Sequence, residues 1–114
     1  MKRSRRAGLD LEALPGHYIR RLQQIAVAIF LQETERHGVT PVQYAALHKV
    51  GLVPGIDQRT LARSIGLNTS TIAGVIDRLE ARGLMQRSAS PEDRRVRLLS
   101  LTKDGQDLLG AIEP

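Results

Sequence analysis

The sequence predicts a mainly α-helical fold that carries one small β-hairpin. Apolar residues recur three and four positions apart in several segments before Leu84, which is the spacing of one helix face. Residues that start and stop helices flank these segments. Beyond Leu84 the apolar spacing approaches two, as in a β-strand. The length of 114 residues, with 41% hydrophobic and 25% charged, is typical of one globular domain.

The chain opens with a basic segment, which we expect to be a disordered arm over residues 1–14. A helix is predicted over residues 15–38, where apolar residues such as Leu22 and Ala26 recur at helical spacing. Residues 25–31 are apolar on nearly every side of this helix. Such a helix must be covered from several directions, so we expect it to lie in a core or in an interface.

A complete set of start signals predicts the second helix, over residues 41–52. Thr40 is placed as the N-cap, Pro41 takes the first helical position, and Gln43 is placed to complete a capping box. The Pro-Gly pair at 54–55 then breaks the chain, which separates this helix from the next one.

Two further helices are joined by a tight turn. Asp57 is placed to cap a short helix that stops at Gly66, and Asn68 is placed to cap a second helix over residues 69–82. The turn of three residues, 66–68, makes the pair a helix-turn-helix. The second helix is expected to turn its apolar residues inward: Ile72, Val75, Ile76 and Leu79.

A β-hairpin is predicted after the helix pair. Residues 85–89 and 96–101 have strand-like spacing, and the turn-forming residues of 90–93 separate them. Helix, helix, turn, helix and a two-stranded wing follow one another in the order of a winged helix-turn-helix, which we assign to residues 39–102. Thr102 is placed to cap a last helix.

Positive charge is concentrated in the segment assigned to the winged helix-turn-helix. The formal net charge is +5, and residues 58–103 contain nine basic and four acidic side chains. Aromatic residues make up only 3%, so recognition by base stacking has little support. Duplex DNA is therefore the expected partner, with a merely solvated basic surface as the alternative.

Composition also excludes several classes of site and location. The chain has no cysteine, which removes disulfides, cysteine-ligated zinc and thiol nucleophiles. The strongly apolar run at 25–31 is far shorter than the roughly 20 residues that cross a bilayer. No export signal is recognised, so we expect a cytoplasmic protein without membrane contact. The three histidines, His17, His37 and His48, include no closely spaced pair, so no metal is expected, and no cofactor is expected either.

The helix over residues 69–82 presents candidate DNA contacts at its start and along its outer face. Three hydroxyl side chains occupy the first turn, where contact with DNA and capping of the helix are the two alternative roles. A glycine in mid-helix costs about 1 kcal/mol relative to alanine, which either close approach to DNA or tight helix packing would explain. Arg78 can contact DNA, or it can pair with Asp77 or with the neighbours of Glu80 across the helix surface. These candidates are Thr69, Ser70, Thr71, Gly74 and Arg78.

The tip of the hairpin supplies the strongest candidates. Arg94 and Arg95 lie at an exposed turn, with Arg97 entering the second strand. Asp93 precedes them, and its carboxylate can hold one of the arginines in place. DNA contact by at least one arginine is expected, and a solvated loop is the alternative.

Three segments resemble the MarR family of bacterial transcriptional regulators: 68–72 (NTSTI), 76–84 (IDRLEARGL) and 93–102 (DRRVRLLSLT). The similar region covers residues 40–109. The resemblance implies a homodimeric repressor that binds a pseudo-palindromic operator and releases it when a small, often aromatic, ligand binds. It assigns minor-groove contact to Arg94 or Arg95 and orientation of the wing to Asp93.

The resemblance also raises two expectations about the rest of the chain. Family dimers use the first helix and two long C-terminal helices, so residues 103–114 are expected to begin a dimerisation helix that is truncated here. Where many relatives carry a larger polar or basic residue, this sequence has Ala73 and Gly74. The family's ligand cleft suggests a binding role for four residues: His17, Arg20, Arg21 and His48.

Two alternative classes of function remain. The protein could be a winged-helix module that binds another protein through the apolar helix segment 25–31. It could also be a truncated regulator that does not bind DNA specifically on its own. An enzyme is the weakest class, because no Ser-His pair, carboxylate pair or glycine-rich phosphate loop has usable spacing.

Overall fold

The computed structural model describes residues 16–113. It confirms the mainly α-helical class with a two-stranded antiparallel wing. Within the described residues, no helix combines the length and apolarity that a membrane crossing requires. The elements in chain order are α1 (Gly16–Arg36), α2 (Pro41–Leu52), α3 (Gln58–Ser64), α4 (Thr69–Ala81), β1 (Met85–Ala89), β2 (Arg97–Leu101) and α5 (Lys103–Ile112).

Local hydrogen bonds explain where the helices begin. The Thr40 hydroxyl accepts from the Gln43 N–H at 3.1 Å while the Gln43 side chain accepts from the Thr40 N–H, which completes the predicted capping box. The side-chain oxygen Oδ1 of Asn68 accepts from the N–H of Thr71 at 2.8 Å. Thr102 caps α5 in the same way. The predicted caps of α2, α4 and α5 are confirmed.

The chain forms two compact units, residues up to 33 and residues from 34 onward. The first unit consists, in its described part, of most of α1. Its large apolar side chains are about half exposed in the single chain, including Ile25 at 48% and Ile29 at 57%. The burial expected for these side chains is therefore not observed within the described chain. The predicted arm over residues 1–14 lies outside the described residues.

The second unit has its own hydrophobic core between α2, α3, α4 and the hairpin. Leu47, Leu61, Ile72 and Ile76 are fully buried there. Three apolar residues of α5 also pack against this core: Leu108, Leu109 and Ile112. The second half of α5 therefore packs on the winged unit and covers part of its core.

The hairpin is tied to the loop before α3. Leu99 of β2 donates its N–H to the carbonyl of Ile56 at 2.9 Å, and Leu99 accepts from the Gly55 N–H at 2.8 Å. These bonds fix the base of the wing beside the start of α3. β2 begins at Arg97 rather than at the expected 96, because the Val96 N–H closes the wing turn onto the Asp93 carbonyl.

Candidate nucleic-acid interface

One open groove lies between the helix-turn-helix and the wing. The first turns of α3 and α4 form one side, and the wing turn with the start of β2 forms the other. It brings together four residues that were predicted separately as a site, namely Thr69, Asp93, Arg95 and Arg97. The residues that line it are Asp57, Gln58, Arg59, Thr69, Ile72, Asp93, Arg95, Val96 and Arg97.

The first turn of α4 presents three exposed hydroxyl side chains beside this groove. Ser70 donates its hydroxyl hydrogen to the Asn68 side chain at 3.0 Å, so this residue supports the cap itself. The side-chain hydroxyls of Thr69 and Thr71 have no hydrogen-bond partner within residues 16–113. They lie at the positive end of the helix dipole, where phosphate oxygens are favoured.

Gly74 lies on the partly exposed outer face of α4. A Cβ atom at this position would meet only the Nη1 atom of Arg78, at 3.4 Å. Tight packing against a neighbouring helix, one of the two explanations for this glycine, is therefore wrong for the described chain. Arg78 donates to the Gly74 carbonyl at 3.2 Å. The alternative pairing of Arg78 with Asp77 is also wrong, because Asp77 binds Arg87.

The wing turn holds one arginine and leaves another unbound. Asp93 Oδ1 accepts from the Arg95 N–H at 3.0 Å and from Nε at 3.1 Å, while Oδ2 accepts from Nη2 at 3.1 Å. These bonds lower the pKa of Asp93, chiefly through the Arg95 side chain. The Arg95 side chain is still 91% exposed. Arg94 is exposed and has no hydrogen-bond or ion-pair partner among residues 16–113.

Two arginines beside the groove were not among the predicted site residues. Arg59 is exposed on α3 and lines the groove. Its position in the first helix of the helix-turn-helix, which crosses the DNA backbone in this motif, is a signal that could have found it. Arg87, in β1, is largely buried against α3 and α4. No local sequence pattern indicates its contacts.

The four predicted ligand residues are divided between the two units. His17, Arg20 and Arg21 are exposed on α1, and the rings of His17 and Tyr18 have centroids 4.1 Å apart. His48 lies on α2 in the second unit, with Nδ1 2.7 Å from Oε2 of Glu113. Among residues 16–113 no group of three or more His, Asp or Glu side chains is arranged to hold a metal ion.

Tyr44 shares the Glu113 carboxylate with His48. Its hydroxyl donates to Glu113 Oε2, and the two rings are stacked with centroids 5.9 Å apart. Burial and this hydrogen bond raise the pKa of Tyr44 to about 12. The phenol is therefore a neutral donor at physiological pH, and it ties the end of α5 to α2.

Comparison with known proteins places these features in a family. The MarR family matches residues 39–96, which is half of the chain. A relative from Thauera aromatica, described as a transcriptional regulatory protein for the hcr operon, is 37% identical over 99 residues. The transcriptional repressor NicR of Pseudomonas putida is 33% identical over 105 residues. The aligned regions cover 86% and 92% of this chain but only 60% and 66% of those relatives.

Two solved structures share the fold. The transcriptional repressor CouR, bound to a 23-mer DNA duplex, has a TM-score of 0.75 at 32% identity, over 91% of this chain and 73% of CouR. The PcaV regulator of Streptomyces coelicolor, in complex with its natural ligand, has a TM-score of 0.67 at 40% identity, over 95% of this chain and 76% of PcaV. The chain belongs to the MarR family of transcriptional regulators.

Proposed function

We propose that this protein is a DNA-binding transcriptional repressor that reads duplex DNA with α4 and the wing. The observation that carries the proposal is the groove in which Arg95, held by Asp93, lies opposite the first turn of α4. A repressor acts on the chromosome, so we also propose a cytoplasmic location and no enzymatic activity.

Each side of the groove is suited to a different part of the duplex. The major groove admits one α-helix, and α4 presents Thr69, Thr71 and the side-chain-free face of Gly74 toward it. The wing arginines Arg94 and Arg95 extend beyond the helix, where the adjacent minor groove or backbone would lie. Arg78 adds positive charge to α4, and Arg97 adds positive charge to the wing. CouR, which shares the fold, was solved on a DNA duplex, which supports this mode.

A homodimer and a small ligand complete the proposal. The half-exposed apolar residues of α1 are suited to a partner helix, and two copies would read two half-sites of a pseudo-palindromic operator. The relative PcaV binds its natural ligand, and NicR is a repressor, which supports release of DNA by a small effector. An aromatic ligand is proposed, with His17, Arg20, Arg21 and His48 as candidate contacts.

The double substitution Arg94→Ala with Arg95→Ala tests the wing. Duplex affinity should fall by about 1–3 kcal/mol for each arginine that contacts DNA. Lys103→Ala is the control, because Lys103 is an exposed cation on α5 outside the groove, paired with Asp107. Both variants are titrated with the same duplex by fluorescence anisotropy. Unchanged affinity of the double variant would remove the wing from the mechanism.

A protein-interaction module is the second candidate function, and the exposed apolar face of α1 favours it. Such a module would bind another protein through this face and would have no specific DNA affinity of its own. The substitution Ile29→Asp distinguishes the two candidate functions. In an interaction module it should abolish binding of the partner protein. In a repressor it should abolish the dimer and lower the affinity for the operator together. Sedimentation and DNA titration of the same variant measure both.

A further inference from the structure

Arg87 differs from the other arginines around the groove in that its side chain is largely buried. Its side chain is only 18% exposed, whereas that of Arg95 is 91% exposed. It lies in the middle of β1, opposite Leu99 of β2, so its side chain starts from the base of the wing and not from its tip. Arg87 therefore does not share the exposed tip from which Arg94 and Arg95 are proposed to contact DNA.

The guanidinium of Arg87 joins three elements at once. Nε donates to the Gln58 side chain of α3 at 2.9 Å. Nη2 donates to the Ala73 carbonyl of α4 at 3.1 Å. Nη1 donates to Asp77 at 2.6 Å and to Glu80 at 3.1 Å, both on α4. The planar fork of arginine reaches all of these acceptors, which the single ammonium of a lysine cannot do.

The same contacts place one positive charge beside the two acidic side chains of α4. Asp77 and Glu80 are the acidic residues of this helix, and Asp77 is 65% exposed on its outer surface. Without a cation beside them, these carboxylates would repel a phosphate backbone that approaches α4. The adjacent Arg78 does not take this role, because it bonds the Gly74 carbonyl.

We propose that Arg87 is a positioning residue that sets α3, α4 and the wing in one fixed arrangement for DNA, and that it does not touch DNA itself. The inference rests on the proposed function, since it concerns how the DNA-reading elements are held. It predicts that a substitution of Arg87 lowers the affinity for DNA and leaves the number of neutralised phosphates unchanged.

The slope of log K against log salt concentration tests this assignment, because it counts the phosphates that the protein neutralises at about −0.9 for each. The probe is a duplex from the region upstream of the protein's own gene. Arg87→Lys keeps the charge and loses the fork, so affinity should fall at least roughly tenfold, as expected when hydrogen bonds to a charged group are lost. The slope should stay at the wild-type value. Arg95→Ala, by contrast, should make the slope shallower.

Gln58→Ala is the second variant, since it removes one partner of Arg87 without changing charge or core. It should weaken binding in the wild-type background and have little further effect when combined with Arg87→Lys. Thermal unfolding of each variant shows that the titration is made on folded protein.

Wild-type affinity of Arg87→Lys, additive effects of the two substitutions, or a slope reduced as in Arg95→Ala would each overturn the inference. The proposed function fails separately, when the unsubstituted chain itself shows no salt-dependent duplex binding. In that case the inference falls with it.

Discussion

Asp93 holds Arg95 with both of its carboxylate oxygens, which accept from the backbone N–H, Nε and Nη2 of the same residue at 3.0–3.1 Å. The arginine is thereby held beside Asp93 although nearly all of its side chain is in solvent. An exposed pair of this kind contributes little to folding stability. The pair instead restricts the orientations of the free Arg95 side chain, which lowers the entropy cost of ordering it when DNA binds.

Asp93→Asn should therefore impair DNA recognition more than stability. The amide keeps an acceptor for the Arg95 N–H but loses the charged pair, so the preference for the upstream duplex over a scrambled one should fall several-fold. Asp104→Asn, in the first turn of α5, makes the same change in net charge and should leave the preference unaltered. Equal preferences in the two variants would show that the pair has no orienting role.

Gly74→Ala should raise stability and lower DNA affinity. Alanine is favoured over glycine in a helix interior by about 0.5–1 kcal/mol, and the new methyl group would meet only the end of the Arg78 side chain. If α4 approaches DNA closely at this position, the same methyl group obstructs that approach. Urea denaturation and duplex titration measure the two effects. Unimpaired DNA binding by the stabilised variant would refute close approach at Gly74.

Gly105→Ala should destabilise the winged unit by about 1–3 kcal/mol, because the added methyl group would overlap the Leu84 carbonyl oxygen. That oxygen also accepts from the Thr102 N–H at 3.1 Å, which prevents it from moving freely. Gly110→Ala in the same helix is the matched control, since open space surrounds its Cβ position. The free energies of unfolding of the two variants are measured in urea. Similar values would contradict the packing of α5 described above.

Asp57 should make stability fall in acid. The side chain and backbone of Thr60 donate to its carboxylate at 2.5 and 2.9 Å and hold the pKa of Asp57 below its ordinary value of 3.8. A lowered folded-state pKa stabilises the protein above the unfolded value, and this contribution is lost as the pH falls through the lowered one. The loss therefore occurs below about pH 4.

Asp57→Asn separates this contribution from other titrating groups, because asparagine is an equally good N-cap without a charge that titrates here. The difference in unfolding free energy between the wild type and the variant should be constant from about pH 5 to 7 and should shift in favour of the variant below about pH 4. A difference that does not change with pH would contradict the assigned pKa shift.

Features that depend on near neighbours in the chain were predictable from the sequence. The capping box joins Thr40 and Gln43, which are only three positions apart in the chain. Gly38 follows the apolar pattern of the first helix, where a glycine commonly ends a helix, and its φ of 75° is the left-handed conformation that such an end requires. The winged helix-turn-helix order followed from such local signals and from one change of period.

The contacts of Arg87 could not be predicted in this way. Its partner Gln58 is 29 residues away, and the Ala73 carbonyl carries no side-chain signal at all. The pairing of Arg78 with Asp77 was a reasonable local alternative, yet Asp77 binds the more distant Arg87 at 2.6 Å. The burial expected for the apolar residues of α1 likewise depends on what a second surface supplies, which the sequence of one chain does not contain.

Binding of the chain to the duplex from upstream of its own gene, compared with a scrambled duplex of the same composition and titrated across salt, tests the central claim most directly. The account predicts a preference of about 10³ or more at physiological salt, with a slope that corresponds to several neutralised phosphates. Weak binding to both duplexes with a slope near zero would contradict a DNA-reading function for α4 and the wing.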